Sequence, residues 1–162
     1  MKRLYGSIII IFTFYTSLFS TDFYKSYYVD KFGDKTNEWY LYSESILGTS
    51  PNSIGGKTEF SATLCIDDKD VFFDIKRSNG DAYSGEGFIY IKLENGEIKT
   101  FSAKNFSGCF FPSSEYAEEL RNLILNETKI KVVVETQKMP YSFNLGTIDL
   151  TILHNLLEDD KK

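Results

Sequence analysis

Histidine and cysteine are the scarcest of the side chains that could carry out catalysis or bind a metal in this sequence. The chain of 162 residues has one histidine, His154, and two cysteines, Cys65 and Cys109. A serine or cysteine hydrolase needs an imidazole base beside its nucleophile, and nothing in the sequence brings His154 to either thiol. A dedicated zinc site needs several histidine or cysteine ligands. The sequence therefore predicts no catalytic triad, no metal site and no cofactor.

Positive charge is also in short supply. The chain has 23 acidic and 18 basic residues, which gives a net charge of −5 at neutral pH. Nucleic acid and anionic membrane surfaces do not attract an acidic protein, so neither is expected as a partner. The many acidic residues leave one enzymatic alternative open, a cell-wall glycan or peptide hydrolase that works through a carboxylate, although no particular pair stands out.

The first twenty residues predict the compartment. Lys2 and Arg3 are followed by no further charge until Asp22, the centre of the segment is apolar, and small residues return up to Ser20. This layout is typical of a secretory signal peptide, so residues 1–20 are predicted to direct export and to be removed after Ser20. The alternative is an uncleaved membrane anchor, because the uncharged stretch is about long enough to span a bilayer. Both interpretations place the rest of the chain outside the cytoplasm, in the periplasm or the extracellular space.

The remaining chain reads as one β-rich domain. Residues 21–37 form a polar and aromatic segment, either a first strand or a tether; residues 38–157 carry the domain; and residues 158–162 are a charged tail. Apolar and polar residues alternate from Phe60 to Ile66 and from Val71 to Ile75, with the turn Asp67–Asp70 between them. The prediction is an antiparallel β-sandwich of six to seven strands, with one helix inserted before the last two strands and a short helix at the C-terminus.

Local sequence signals predict a hairpin turn, a loop and a helix cap. Asn95-Gly96 favours a two-residue hairpin turn, which would place Tyr90 opposite Phe101. The stretch "ILGTSPNSIGGK" is dense in glycine, serine and proline and is predicted to be a loop. Ser113 or Ser114 is predicted to cap the first helix.

The two cysteines are predicted to form a disulfide. Cys65 lies on the polar side of its strand, and Cys109 lies in the connection before the first helix. Paired cysteines are usual in exported domains, and the bridge would hold the helical connection against the strand of Cys65. The alternative is two separate, half-buried thiols.

The order of several segments resembles an exported bacterial family. It includes the type VI secretion-associated VasI-like proteins and, more loosely, the invasion-associated IalB-like proteins. The matching segments are "EWYLYSES", "SATLCIDDKDVFF", "FIYIKLENGEIKTFSA", "FFPSSEYAEELRNLILNETKIKVVVET" and "YSFNLGTIDLTILHNL". The resemblance implies a small periplasmic β-sandwich without assigned catalysis. Relatives often carry a second cysteine after the final helix, where this chain has "LEDDKK", so Cys109 would have to replace it as the partner of Cys65.

The sequence as a whole predicts a non-catalytic exported protein that binds another envelope or secreted protein, as an interaction or accessory module, and the family resemblance implies an association with secretion. Four tyrosines without an evident inward role are the candidate contact residues: Tyr24, Tyr27, Tyr28 and Tyr42. The alternatives are the carboxylate hydrolase and a carrier that holds a small apolar ligand inside the domain.

Overall fold

A computed structural model describes residues 21–51, 56–77, 84–137 and 141–159. Over these residues the chain forms ten strands and two helices. The strands are β1 (Phe23–Val29), β2 (Lys35–Ser43), β3 (Ile46–Pro51), β4 (Lys57–Ile66), β5 (Val71–Arg77), β6 (Ser84–Leu93), β7 (Ile98–Phe106), β8 (Cys109–Pro112), β9 (Lys129–Thr136) and β10 (Ser142–Asp149). The helices are α1 (Ala117–Asn126) and α2 (Thr151–Asp159).

Eight of the strands close into an antiparallel barrel. The order around it is β4, β3, β10, β9, β6, β7, β8 and β5, and the ring closes because β5 pairs again with β4. The prediction of a β-sandwich, which the family resemblance also implied, is therefore wrong. Its error lies largely in the stretch after Ser45, which was predicted to be a loop. Residues Ile46–Pro51 of that stretch instead form β3, the strand that joins β4 to β10.

The first two strands lie outside the barrel. β1 pairs with β2 along most of its length, and β2 pairs with the barrel where Leu41 and Tyr42 lie opposite Ile66 and Cys65 of β4. The segment 21–37, left open above as a strand or a tether, thus supplies a strand. The predicted boundary between residues 37 and 38 falls inside β2. Together β1 and β2 form a hairpin that extends the barrel wall.

Two strands share one edge of β4. β3 pairs with Lys57–Ala62, and β2 pairs with Cys65 and Ile66 on the same side. At the change of partner, the backbone N–H of Leu64 donates a 3.0 Å hydrogen bond to the Oγ of Ser43. Ser43 is only 1% exposed, so its hydroxyl supplies the acceptor that a strand would otherwise provide.

The barrel interior is filled by the side chains that alternation directs inward. The predicted inward faces of β4 and β5 are confirmed, since Phe60, Leu64, Ile66 and Phe73 are all buried. Phe143 packs edge-on against Phe60, with ring centroids 5.1 Å apart. An eight-stranded barrel is just wide enough for side chains to fill it, and here bulky aromatic rings do so.

The β6–β7 hairpin differs from its prediction by one residue. The backbone N–H of Leu93 donates a 2.9 Å hydrogen bond to the backbone oxygen of Glu97. The loop between these two residues therefore has three residues rather than the predicted two. Gly96 adopts a φ of +90°, as such a loop requires. The shift places Ile89 opposite Phe101, both of them buried, and moves Tyr90 to the outer wall opposite Thr100.

The helices pack at the end of the barrel that carries the Asp67–Asp70 turn. Leu120 and Ile124 of α1 and Leu153 of α2 are fully buried in the common core. Arg121 Nε donates a 3.1 Å hydrogen bond to the backbone oxygen of Asp67.

The predicted caps of the first helix, Ser113 and Ser114, are wrong. α1 begins at Ala117, and the residue before it, Tyr116, makes no side-chain capping hydrogen bond. No helix within the described ranges has the length and apolar character needed to cross a membrane.

Candidate functional site

The outward side of the β1–β2 hairpin carries a continuous group of tyrosines. We call this group the tyrosine face; its members are Tyr24, Tyr28, Tyr40 and Tyr42. Adjacent rings make contact, with centroids 5.6 Å apart for Tyr24 and Tyr42, 5.8 Å for Tyr40 and Tyr42, and 5.0 Å for Tyr28 and Tyr40. Tyr24 is 46% exposed and Tyr28 38%. The face therefore presents a connected aromatic surface to solvent.

Strand alternation explains why these tyrosines meet. Tyr24 lies directly opposite Tyr42 in the antiparallel pair, and Ser26 lies opposite Tyr40. Residues two apart on a strand share a face, so Tyr40 must point the same way as Tyr42. Three of the four predicted contact residues are brought together here. The sequence prediction omitted Tyr40, although its spacing from Tyr42 in "EWYLYSES" was sufficient to include it.

The fourth predicted residue, Tyr27, lies on the opposite face of the hairpin. Lys35 Nζ lies 3.4 Å from the centroid of the Tyr27 ring. Lys25 Nζ lies 4.8 Å from the ring of Trp39, the residue opposite Tyr27. On the reverse side of the hairpin, therefore, the aromatic rings are covered by lysine side chains through cation–π contacts. At the hairpin tip, Lys31 lies over Phe32, which is 78% exposed.

A hydrogen bond ties the tyrosine face to the barrel. The Tyr28 hydroxyl donates to Oδ2 of Asp67 at 2.7 Å. Burial alone would raise the pKa of Asp67, but hydrogen bonds from the backbone of Asp70 and Lys69 and from Tyr28 outweigh it and lower that pKa below its ordinary value. Burial, together with the charge of Asp67, raises the pKa of Tyr28. Tyr28 is therefore a neutral donor and Asp67 an ionised acceptor at neutral pH.

A second aromatic pair lies on the barrel wall, separated from the tyrosine face by Cys65. Tyr42 pairs with Cys65, and Cys65 pairs with Phe72 of the next strand. The Phe72 ring stacks on Phe111 of β8 with centroids 4.6 Å apart. Tyr42, Cys65 and Phe72 thus lie side by side on three neighbouring strands, and the ring contact carries the series to β8. Phe72 and Phe111 are half-buried, so part of each ring is open to solvent.

Both cysteines lie on this outer wall as free thiols. Cys65 is on β4 and Cys109 on β8, and these strands pair with opposite edges of β5. Two strand spacings separate their backbones by about 9–10 Å, whereas a disulfide requires Cα atoms within about 7 Å. The predicted bridge is therefore not formed in this arrangement. The Cys109 thiol instead donates to Oδ1 of Asp74 at 3.7 Å.

The thiols are poorly suited to nucleophilic chemistry. Burial, with a smaller contribution from the charge of Asp74, raises the pKa of Cys65 to about 12. The same two causes raise the pKa of Cys109. The reactive form of a cysteine is the thiolate, which a raised pKa suppresses at neutral pH.

His154, the single histidine, lies on α2. Its Nε2 lies 3.4 Å from the backbone oxygen of Ile124, so the contact of this ring nitrogen is with the backbone of α1.

In the part of the chain that the structure describes, no three side chains of histidine, cysteine, aspartate or glutamate are grouped closely enough to hold a metal ion. Comparisons with protein-family models, with curated proteins and with solved structures find no match for this chain. The proposed function therefore rests on the tyrosine face and on the sequence alone.

Proposed function

We propose that this chain is an exported, non-catalytic binding protein that holds another protein of the cell envelope on its tyrosine face. The observation that carries the proposal is the contact of four tyrosine rings on one outward side of a hairpin that lies outside the barrel. Tyrosine is enriched at protein interfaces because its ring offers a large contact area and its hydroxyl a hydrogen bond. Export rests on the signal-like residues 1–20, and a secretion-associated role rests on the family resemblance.

The two alternative functions have less support from the geometry. A glycosidase needs a general acid with a raised pKa. Among the residues that the structure describes, two carboxyl groups, Asp67 and Asp149, have a pKa that departs clearly from the ordinary value, and both are lowered. A carrier needs an apolar cavity, yet the rings of Phe73, Phe101 and Phe110 are fully buried inside the barrel. The lowered carboxyl pKa values give no support to a glycosidase, and the filled barrel interior gives none to a ligand carrier.

Site-specific photo-crosslinking tests the proposal. We would replace Tyr42 with p-benzoylphenylalanine in the full chain and irradiate intact cells of its own host. The matched control is the same replacement at Tyr90, a half-buried tyrosine on the outer wall of β6, on another part of the barrel. We expect one reproducible protein adduct from position 42 and none from position 90. Equal labelling from both positions, or no adduct from position 42, would refute binding at the tyrosine face.

A further inference from the structure

The lysines of the β1–β2 hairpin lie away from the tyrosine face. Between Phe23 and Ser43 the hairpin has three lysines, Lys25, Lys31 and Lys35. Each ammonium lies over an aromatic ring, on the reverse side of the hairpin or at its tip. The tyrosine face itself therefore carries no lysine from the hairpin.

Carboxylates border the tyrosine face at both ends. At one end, Asp67 accepts the hydrogen bond from Tyr28. At the other end, Asp22 and Glu44 are both exposed, and the backbone N–H of Glu44 donates to the oxygen of Asp22 at 2.8 Å, which places them opposite each other. They lie two residues before Tyr24 and two after Tyr42, so alternation puts them on the same side as those rings.

Aromatic rings and carboxylates together favour a cationic ligand. A guanidinium or ammonium group is attracted to the face of a tyrosine ring and can pair at the same time with a neighbouring carboxylate. Arginine suits such a site best, because its planar group stacks on a ring while it donates hydrogen bonds at its edge. An acidic partner would instead meet the like charge of these carboxylates, of which Asp67 is partly compensated by the neighbouring Lys69.

We infer that the tyrosine face binds an extended, arginine- or lysine-bearing segment of its protein partner, with the cations seated between the rings and the carboxylates Asp22, Glu44 and Asp67. This inference rests on the proposed function and specifies its partner by charge. The stacked rings of Phe72 and Phe111, on the barrel wall beyond Cys65, offer further contact for apolar side chains of the same segment.

Binding of labelled oligo-arginine to the full chain tests the charge requirement, with oligo-glutamate as the opposite probe. The test variant is the double replacement Asp22→Asn with Glu44→Gln. The matched control is Glu94→Gln with Glu118→Gln, which removes the same charge from exposed positions on the β6–β7 loop and on α1. We expect oligo-arginine to bind and the test variant to raise its Kd about ten-fold, whereas the control changes the Kd by less than about two-fold. Equal changes in both variants, or equal binding of the two probes, would overturn the inference.

The photo-crosslinked adduct separates this inference from the proposed function. Peptide mapping of the adduct at position 42 identifies the partner segment in contact. A basic segment supports the inference. An acidic or uncharged segment overturns it while leaving binding at the tyrosine face intact, whereas the absence of any adduct refutes the proposed function itself.

Discussion

The Oγ of Ser43 lies 3.0 Å from the backbone nitrogen of Leu64 and accepts its hydrogen bond at the point where β4 changes partner from β3 to β2. One hydroxyl thus completes the hydrogen bonding of a strand edge that two different strands share. Both residues are buried, so no solvent molecule is at hand to replace the hydroxyl.

Replacing Ser43 with alanine should destabilise the protein by about 1–3 kcal/mol, because it leaves the buried N–H of Leu64 without an acceptor. Urea unfolding followed by tryptophan fluorescence measures the change, since Trp39 lies on the same strand. The control Ser114→Ala, at an exposed position before α1, should shift the free energy of unfolding by less than about 0.5 kcal/mol. Equal stability of both variants would show that the hydroxyl is dispensable.

Phe143 should be among the most costly side chains to truncate. Its ring is fully buried and contacts the rings of Phe60 and Phe110. We expect Phe143→Ala to lower the free energy of unfolding by about 3–5 kcal/mol, because the barrel cannot collapse into the space left behind. The comparison variant Phe106→Ala removes a ring that is 61% exposed and should have little effect. Similar losses in the two variants would contradict the packed interior.

Asp67 should make stability depend on pH in the acid range. Its pKa in the folded protein is lowered from the ordinary value of 3.8. A carboxyl group with a lowered folded pKa stabilises the protein fully above its unfolded pKa, and that contribution is lost as the pH falls through the folded pKa. Asp67→Asn should therefore be less stable than the wild type at about pH 7, with a smaller difference at about pH 2.

The neighbouring Asp68 provides the charge control for that experiment. It is exposed in the same turn, and Asp68→Asn removes the same charge without touching the bond from Tyr28. Thermal unfolding across the acid range would report both variants. If Asp68→Asn reproduced the loss seen with Asp67→Asn, net charge rather than the hydrogen-bonded carboxylate would be responsible.

The sequence and the structure lead to opposite expectations for the two cysteines, and the state of their thiols can be measured. From the compartment alone a disulfide is predicted, whereas β5 separates Cys65 from Cys109 in the fold. We expect two alkylated thiols in the intact mass of the protein purified from its own host, denatured without reductant. A mass that gains alkyl groups only after reduction would mean that the strands around β5 are arranged differently in the cell.

Short-range patterns were sufficient to predict much of this fold, and the failures have physical causes. The inward residues of β4 follow from alternation because one face of each strand is buried. The Asn95-Gly96 turn was placed correctly, but a three-residue loop differs from a two-residue loop by one step of register, so Ile89 rather than Tyr90 lies opposite Phe101. Turn-forming residues in Ile46–Pro51 concealed a strand whose stability comes from pairing with β4 and β10.

Barrel closure could not be predicted, because it depends on pairing between distant parts of the chain. A sandwich and a barrel have the same alternating strands and differ in whether Thr49 meets Asn144. The tyrosine face was partly predictable, because Tyr24, Tyr28 and Tyr42 were singled out as tyrosines without an inward role. Their contact with Tyr40 and the separation of Tyr27 to the reverse side depend on the register of β1 against β2.

The pairing of β3 with β10 also sets an order in time. The chain is made from its N-terminus, so β10, which closes the ring against β3, is synthesised after the other nine described strands. Until then β3 has an open edge that can pair with another chain, and such non-local pairing is slow to form. The newly made protein therefore passes through a vulnerable interval that ends only when β10 is in place, and its yield should depend on keeping neighbouring copies apart during that interval.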